Sequence, residues 1–150
     1  RAAELFCKGG FDAVVHLGDV FPDARRFCAL TGHMPLCVRG NCDTEVDQMV
    51  LPFPVLADYG WLYLDGRTVY LTHGHVINKA HPLAFAKGDI LLHGHTHIPA
   101  CEDCGDFMYL NPGSVSIPKE GSAHSYMVYE NGVFCWKDLL TGERYLEYRL

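Results

Sequence analysis

The chain of 150 residues carries 12 Lys and Arg against 18 Asp and Glu, a formal charge of −6 at pH 7. This length suits one domain over residues 1–150, able to bury about two thirds of its unfolded surface without staples. Scattered cations and an acidic balance exclude a strong nucleic-acid footprint but are compatible with a small anionic substrate held by metals. No apolar run approaches the roughly 20 residues needed to span a bilayer, and no signal-peptide pattern is present, so a cytoplasmic protein without membrane contact is expected. Seven cysteines, an odd number irregularly placed, point to reduced thiols rather than a disulfide framework.

In chain order, Arg1 to Gly10 reads as the last turns of a helix closed by glycine, without a capping residue to open it. Asp12 to Gly18 is a buried-type strand leading into Asp19, and Pro22 to Leu30 is a short helix with proline in its first turn. Leu36 to Arg39 is a brief strand feeding a loop at Asn41. Glu45 to Tyr59, with Pro52 and Pro54, reads as a loop that walls a site. Trp61 to Leu64 and Thr68 to Leu71 form a hairpin around Asp65-Gly66. His81 to Lys87 makes a helical turn at most, and Asp89 to His93 is a strand. Cys101-Glu102-Asp103-Cys104 falls in a hairpin loop; a zinc site would need a second ligand pair, so neither a zinc nor a redox role is assigned to it. Phe107 to Leu110 leads into the turn Asn111-Pro112-Gly113-Ser114. Ser125 to Glu130 and Val133 to Asp138 meet at Asn131-Gly132, a strong hairpin signal, and Arg144 to Arg149 alternates as a last strand. Many strands and few helices indicate an α+β protein, a two-sheet sandwich flanked by helices.

Four strand-to-loop junctions carry the chemistry. His93, His95 and His97 are spaced by two, so in an extended strand they start on one face, with Gly94 allowing the backbone to bend. Neutral imidazole is a common ligand for zinc, manganese, iron and nickel, although a His-x-His at a strand end can also be a polar rim. A second copy, His73-Gly74-His75, also follows an apolar run, and two further junctions end in Gly18-Asp19 and Gly40-Asn41-Cys42-Asp43. A carboxylate has two oxygens and can bridge two cations, which suits Asp19, while Asp19 as a helix cap and Asn41 as a turn residue are the structural alternatives. His16, His33, His81 and His124 are read as surface or packing residues. Arg39 is read as packed or solvated in preference to touching phosphate.

In their order, Val15-His16-Leu17-Gly18-Asp19, Val38-Arg39-Gly40-Asn41-Cys42-Asp43, Thr72-His73-Gly74-His75 and Gly94-His95-Thr96-His97 resemble the calcineurin-like metallophosphoesterases. The strings from Val38 to Met49 and from Asn111 to Lys119 resemble their small bacterial YfcE-type phosphodiesterase branch. The resemblance implies the metallophosphoesterase fold and a dinuclear metal centre. Asp19, Asn41, His73 and His95 would hold one metal, and Asp19 and His97 would share the other. It also implies two divalent ions, manganese first, with zinc, iron or nickel as alternatives. A hydroxide held between the metals would attack the phosphorus of a small phosphodiester.

In the family a strand ending in Asp-x-His precedes this region and completes the second site. It has no counterpart here, so the domain is expected to be N-terminally truncated. Asn41, Cys42 and His75 are the candidate catalytic residues. Cys42 stands where many family members carry a histidine that protonates the leaving oxygen, and His75, two residues beyond a ligand, is placed to face substrate. The alternative is a non-enzymatic metal-binding scaffold for protein interaction on the same fold. Retention of Asn41, His73, His95 and His97 together favours the enzyme.

Overall fold

The computed structural model describes residues 1–19, 23–55 and 57–150, apart from the side chains of residues 47 and 48. Helix α1 (Ala2–Gly9) ends where Gly10 turns left-handed at φ 64°. Its buried Phe6 meets the edge of Phe27 at 5.4 Å between centroids and His33 at 5.0 Å, which gives His33 the packing role expected of it. Phe27 lies on α2 (Asp23–Thr31), so the two helices join through aromatic contacts. The proline expected to open this helix, Pro22, lies outside the described residues.

Strand β1 (Val15–His16) precedes α2, and β2 (Leu36–Cys37) follows it in parallel register. The expected strand from Asp12 to Gly18 is thus much shorter, because only Val15 and His16 find ladder partners among the described residues. A second correction concerns Glu45 to Tyr59, whose first part is a helix, α3 (Glu45–Val50). The prolines that suggested a loop lie beyond its end and serve to stop it. Thr44-Glu45-Val46-Asp47 has the spacing of a helix-opening box, a signal the prolines obscured.

The remaining chain is almost all strand. Strands β3 (Tyr59–Leu64) and β4 (Arg67–Thr72) form the expected hairpin, with Asp65 at φ 44° and Gly66 at φ 82° as a two-residue turn. The expected turn of helix from His81 to Lys87 is absent. Pro82 disfavours helical backbone at the residue before it, and the Phe85 ring is held instead between Tyr70, at 5.1 Å, and Phe107, at 4.4 Å. Strands β5 (Asp89–His93), β6 (Pro99–Asp103) and β7 (Phe107–Pro112) complete a five-stranded sheet in the order β3-β4-β5-β7-β6. The C-x-x-C segment, expected in a hairpin loop, has Cys101 to Asp103 in β6 paired against β7 and only Cys104 in the turn; both thiols are free.

Strands β8 (Ser125–Glu130), β9 (Val133–Asp138) and β10 (Arg144–Arg149) make an antiparallel sheet in the order β10-β9-β8. Alternation along β4, β5 and β7 sends Val69, Leu71, Ile90, Leu92 and Leu110 to one face. There they meet Phe134 and Trp136 of the small sheet in a shared core. The fold is therefore the mixed α/β sandwich expected from the strand count. Among the described residues no helix is long and apolar enough to cross a membrane.

One core contact reaches toward the loops. Trp136, fully buried, donates its indole N–H to the Asn111 carbonyl at 2.6 Å, and that asparagine is itself fully buried. Trp136→Phe keeps most of the apolar volume but leaves the carbonyl without its donor. Urea denaturation is expected to show a loss of about 1–3 kcal/mol with an unchanged m-value; a loss within experimental error would deny the bond a structural role.

Candidate metal centre

Strands β4, β5 and β7 run parallel, as do β1 and β2. Ligand sites in parallel α/β sheets lie outside the carboxyl ends of the strands, where the loops diverge. Here those ends carry Asp19, Asn41, His73 and the His95 loop. Close approach is possible because glycines sit between them. A Cβ on Gly40 would overlap the Asp19 backbone nitrogen and carboxylate, and one on Gly74, at φ 115°, would overlap the His93 ring.

The expected run of three histidines on one strand face is corrected by the backbone. Strand β5 stops at His93, and His95 and His97 take left-handed conformations at φ 62° and 64°. Such backbone is costly for residues with a Cβ and is held only by surrounding structure. That hold comes from buried Asn111, whose Nδ2 donates to the Gly94 carbonyl at 2.9 Å and to Thr96 Oγ1 at 3.0 Å. Asn111 lay inside a motif singled out in the sequence, but no spacing there marked it as the residue that shapes this loop.

At the centre is His73. Its Nδ1 lies 2.6 Å from the Leu17 carbonyl. A carbonyl only accepts, so Nδ1 carries the proton and Nε2 presents a lone pair. Burial is the leading cause that lowers the His73 pKa, which favours the neutral, ligating form. Around Nε2 lie Asn41 Oδ1 at 3.0 Å, His95 Nδ1 at 3.0 Å and Asp19 Oδ2 at 3.5 Å. A proton on His95 Nδ1 would satisfy one of these approaches; the two oxygens still turn lone pairs toward a lone pair.

The outer contacts fix this orientation. Asp19 Oδ1 accepts from the Cys42 backbone N–H at 3.0 Å, leaving Oδ2 for His73. The Asn41 amide directs Nδ2 to Cys42 Sγ at 3.4 Å, leaving Oδ1 inward. The spacings also suit a cation. With metal–ligand distances of about 2.1 Å, neighbouring ligands around a four- or six-coordinate ion stand about 3.0–3.4 Å apart. Among the described residues no three His, Cys, Asp or Glu side chains close into a ready cage, so the donors converge on the His73 nitrogen rather than on an open centre.

The other candidates are placed around this cluster. His97 is oriented through Nδ1 by the Ile117 carbonyl at 2.8 Å, which fixes the proton on that nitrogen and leaves a lone pair on Nε2. His75 lies 5.4 Å from His73 between ring centroids, and its buried Nδ1 has no partner among the described residues. His16 likewise buries an unpartnered Nδ1, and desolvation pushes its pKa down; the expected surface or packing reading did not foresee that polar atom.

His93 is not among the groups around His73 Nε2; Tyr109 OH lies 3.2 Å from its Nδ1, and burial is the chief cause that lowers its pKa to about 4. Arg39 commits its guanidinium to Asp58, in line with its reading as a packed residue. Cys42 is exposed, and the Asp19 charge is the first cause that raises its thiol pKa.

The family model described as the calcineurin-like phosphoesterase superfamily domain matches residues 1–132. The chain belongs to this superfamily. It is 40% identical over 147 residues to phosphodiesterase YfcE of Escherichia coli (strain K12), a match covering 89% of this chain and 80% of that protein. The solved structure of YfcE, described as a phosphoesterase from E. coli, aligns with a TM-score of 0.88 at 36% identity, covering 97% of this chain and 88% of that one. Vps29 of Entamoeba histolytica, solved in complex with Zn²⁺, aligns with a TM-score of 0.65 at 18% identity, over 98% of this chain and 86% of that one. That last likeness shows the shared fold alone.

The placement of Gly74 yields a direct check on this phosphoesterase's loop packing. Gly74→Ala puts a methyl into the His93 ring at a left-handed φ. A stability loss of about 1–3 kcal/mol is expected in urea denaturation, together with weaker Mn²⁺ binding by calorimetry. Unchanged values in both would show that the His73 loop tolerates the displacement.

Proposed function

We propose that this chain is a divalent-metal-dependent phosphodiesterase, a phosphoric diester hydrolase acting on small diesters. The observation that carries the reading is the convergence of Asn41 Oδ1, His95 Nδ1 and Asp19 Oδ2 on the unprotonated nitrogen of His73. Asp19, Asn41, His73 and His95 form the first ligand set; Asp19 and His97 contribute to a second. Manganese is the first candidate, with zinc, iron and nickel behind it, since the set mixes imidazole with oxygen donors. When bound, divalent cations supply Lewis acidity that activates a water for attack on phosphorus and neutralises charge on the phosphoryl oxygens.

The chain's own groups then have distinct tasks. The Leu17 carbonyl keeps the His73 proton on Nδ1, so Nε2 stays a donor of electrons. Asp19 holds one oxygen to the Cys42 N–H and offers the other to the cluster. Cys42 Sγ stands next to the Asn41 amide at the rim. A thiol is a weaker acid than imidazolium, so a departing alkoxide gains little from Cys42. His75, with its unpartnered nitrogen beside His73, is the alternative proton donor.

Two experiments follow. Calorimetric titration with Mn²⁺ is expected to show binding that His95→Ala and Asn41→Ala each weaken at least about tenfold, by loss of a ligand. The same variants should lose hydrolysis of an aryl phosphodiester while keeping their denaturation midpoint. His33→Ala, on the α1 packing contact, should change neither binding nor hydrolysis. Full metal binding and hydrolysis in His95→Ala would remove the centre from this site.

The second experiment is a rate series over leaving groups of graded pKa. A steep dependence is expected, with aryl diesters far ahead of alkyl diesters, and Cys42→His should flatten it. A flat dependence in the parent that becomes steep in His75→Ala would assign the proton to His75. A steep dependence altered by neither change would leave both residues without an acid role.

A further inference from the structure

Beside the His73 cluster lies an open cleft of about 400 Å³, a size suited to a small organic group. His95, one of the proposed ligands, forms part of its wall, so the cleft and the metal centre share a boundary. Ile98 and Ala100 supply apolar surface, and the ring of Tyr109 forms another side. Over that ring stands Lys79, its Nζ 4.5 Å from the centroid and 2.7 Å from Glu102 Oε2. Among the described residues Lys79 is the one Lys or Arg in the lining, on a chain whose net charge of −6 otherwise repels anions.

The Lys79–Glu102 pair is about half exposed on both sides, at 44% and 49%. Exposed pairs of this kind contribute about 0–1 kcal/mol, so a competing anion can take Lys79 from Glu102 at small cost. Contact with Tyr109 places the half-exposed ammonium at the wall of the cleft. Tyr109 is in turn fixed, since it is only 4% exposed and its hydroxyl meets His93 Nδ1.

We infer that this cleft receives one ester group of the diester and that Lys79 makes it selective for an ester group bearing its own negative charge. Glu102 then acts as an internal competitor for the same ammonium. The assignment of the occupant rests on the phosphodiesterase reading; the cleft and its cation do not. Removing the Lys79 charge weakens an anionic occupant and leaves a neutral one of the same shape untouched, whereas removing the Glu102 charge strengthens the anionic one.

The cleft is probed first without turnover. Protein-detected NMR titration with 4-hydroxybenzoate and with 4-methylphenol is expected to shift Tyr109 and Lys79 signals. The benzoate should bind about fivefold more weakly in Lys79→Met and more tightly in Glu102→Gln at low salt, with 4-methylphenol unaffected by either change. Equal effects on the two probes, or benzoate shifts confined to another surface, would overturn the inference.

The second arm compares kcat/KM for aryl diesters with and without a para-carboxylate. The carboxylated diester should be preferred, and Lys79→Met should remove that preference through KM. Hydrolysis of both diesters without preference would overturn the cleft assignment and leave the phosphodiesterase reading standing. Selective benzoate binding at Lys79 in a protein that hydrolyses neither diester would do the reverse: the cleft's selectivity for anions would stand and the phosphodiesterase reading would fall.

Discussion

The hydrogen bond from His73 to the Leu17 carbonyl is the constraint on which the site depends. It spans 56 residues of sequence and ties the end of β4 to the end of β1. By fixing the proton on Nδ1 it also decides which nitrogen faces Asp19, Asn41 and His95. A histidine with the other tautomer would point an N–H at the accepting oxygens of Asn41 and Asp19 and be satisfied without a cation. Burial reinforces the choice, because the charged ring is disfavoured there and the neutral form remains available as a ligand.

A second chain of contacts runs from the sandwich core to the same place. Trp136 holds the Asn111 backbone, and the Asn111 side chain holds Gly94 and Thr96. The loop between these partners and the Lys119–His97 backbone contact contains both left-handed histidines. Packing between the two sheets therefore contributes to the placement of the proposed ligands His95 and His97 as well as to stability. Asn111 acts on the site through the Gly94 backbone and the Thr96 hydroxyl that its side chain holds.

Most of the strands, the two hairpin turns at Asp65-Gly66 and Asn131-Gly132, and the positions of the four junctions that carry the candidate ligands could be read from the sequence because each rests on local pattern; β6, read there as a hairpin loop, could not. Period-2 burial, turn chemistry and metal-ligand residue types need no knowledge of distant contacts. What escaped was set by tertiary structure. The bend after His93 follows from Asn111 across the sheet, so even spacing of His93, His95 and His97 suggested one face where there are two backbone conformations. The segment at His81 to Lys87 is held by Tyr70 and Phe107 on neighbouring strands, which no local helical propensity outweighs. Helix α3 is the opposite case, since its opening signal was local but was overruled by the nearby prolines.

The orienting partners of the proposed ligands share one property: they are distant in sequence and mostly backbone. His73 is oriented by Leu17 O, His97 by Ile117 O, and Asp19 by the N–H of Cys42. Backbone groups persist through side-chain substitution, so the geometry depends on how the strands are arranged more than on which side chains surround it. Asp19, His95 and His97 all lie at positive φ, each at a cost of about 1–3 kcal/mol that local sequence does not offset. The contacts from Asn111 to the His95 loop and from the Cys42 N–H to Asp19 are thus a source of preorganisation among the proposed ligands. A donor set already turned inward in this way needs less rearrangement when a cation arrives, and less of the binding free energy is consumed in ordering it.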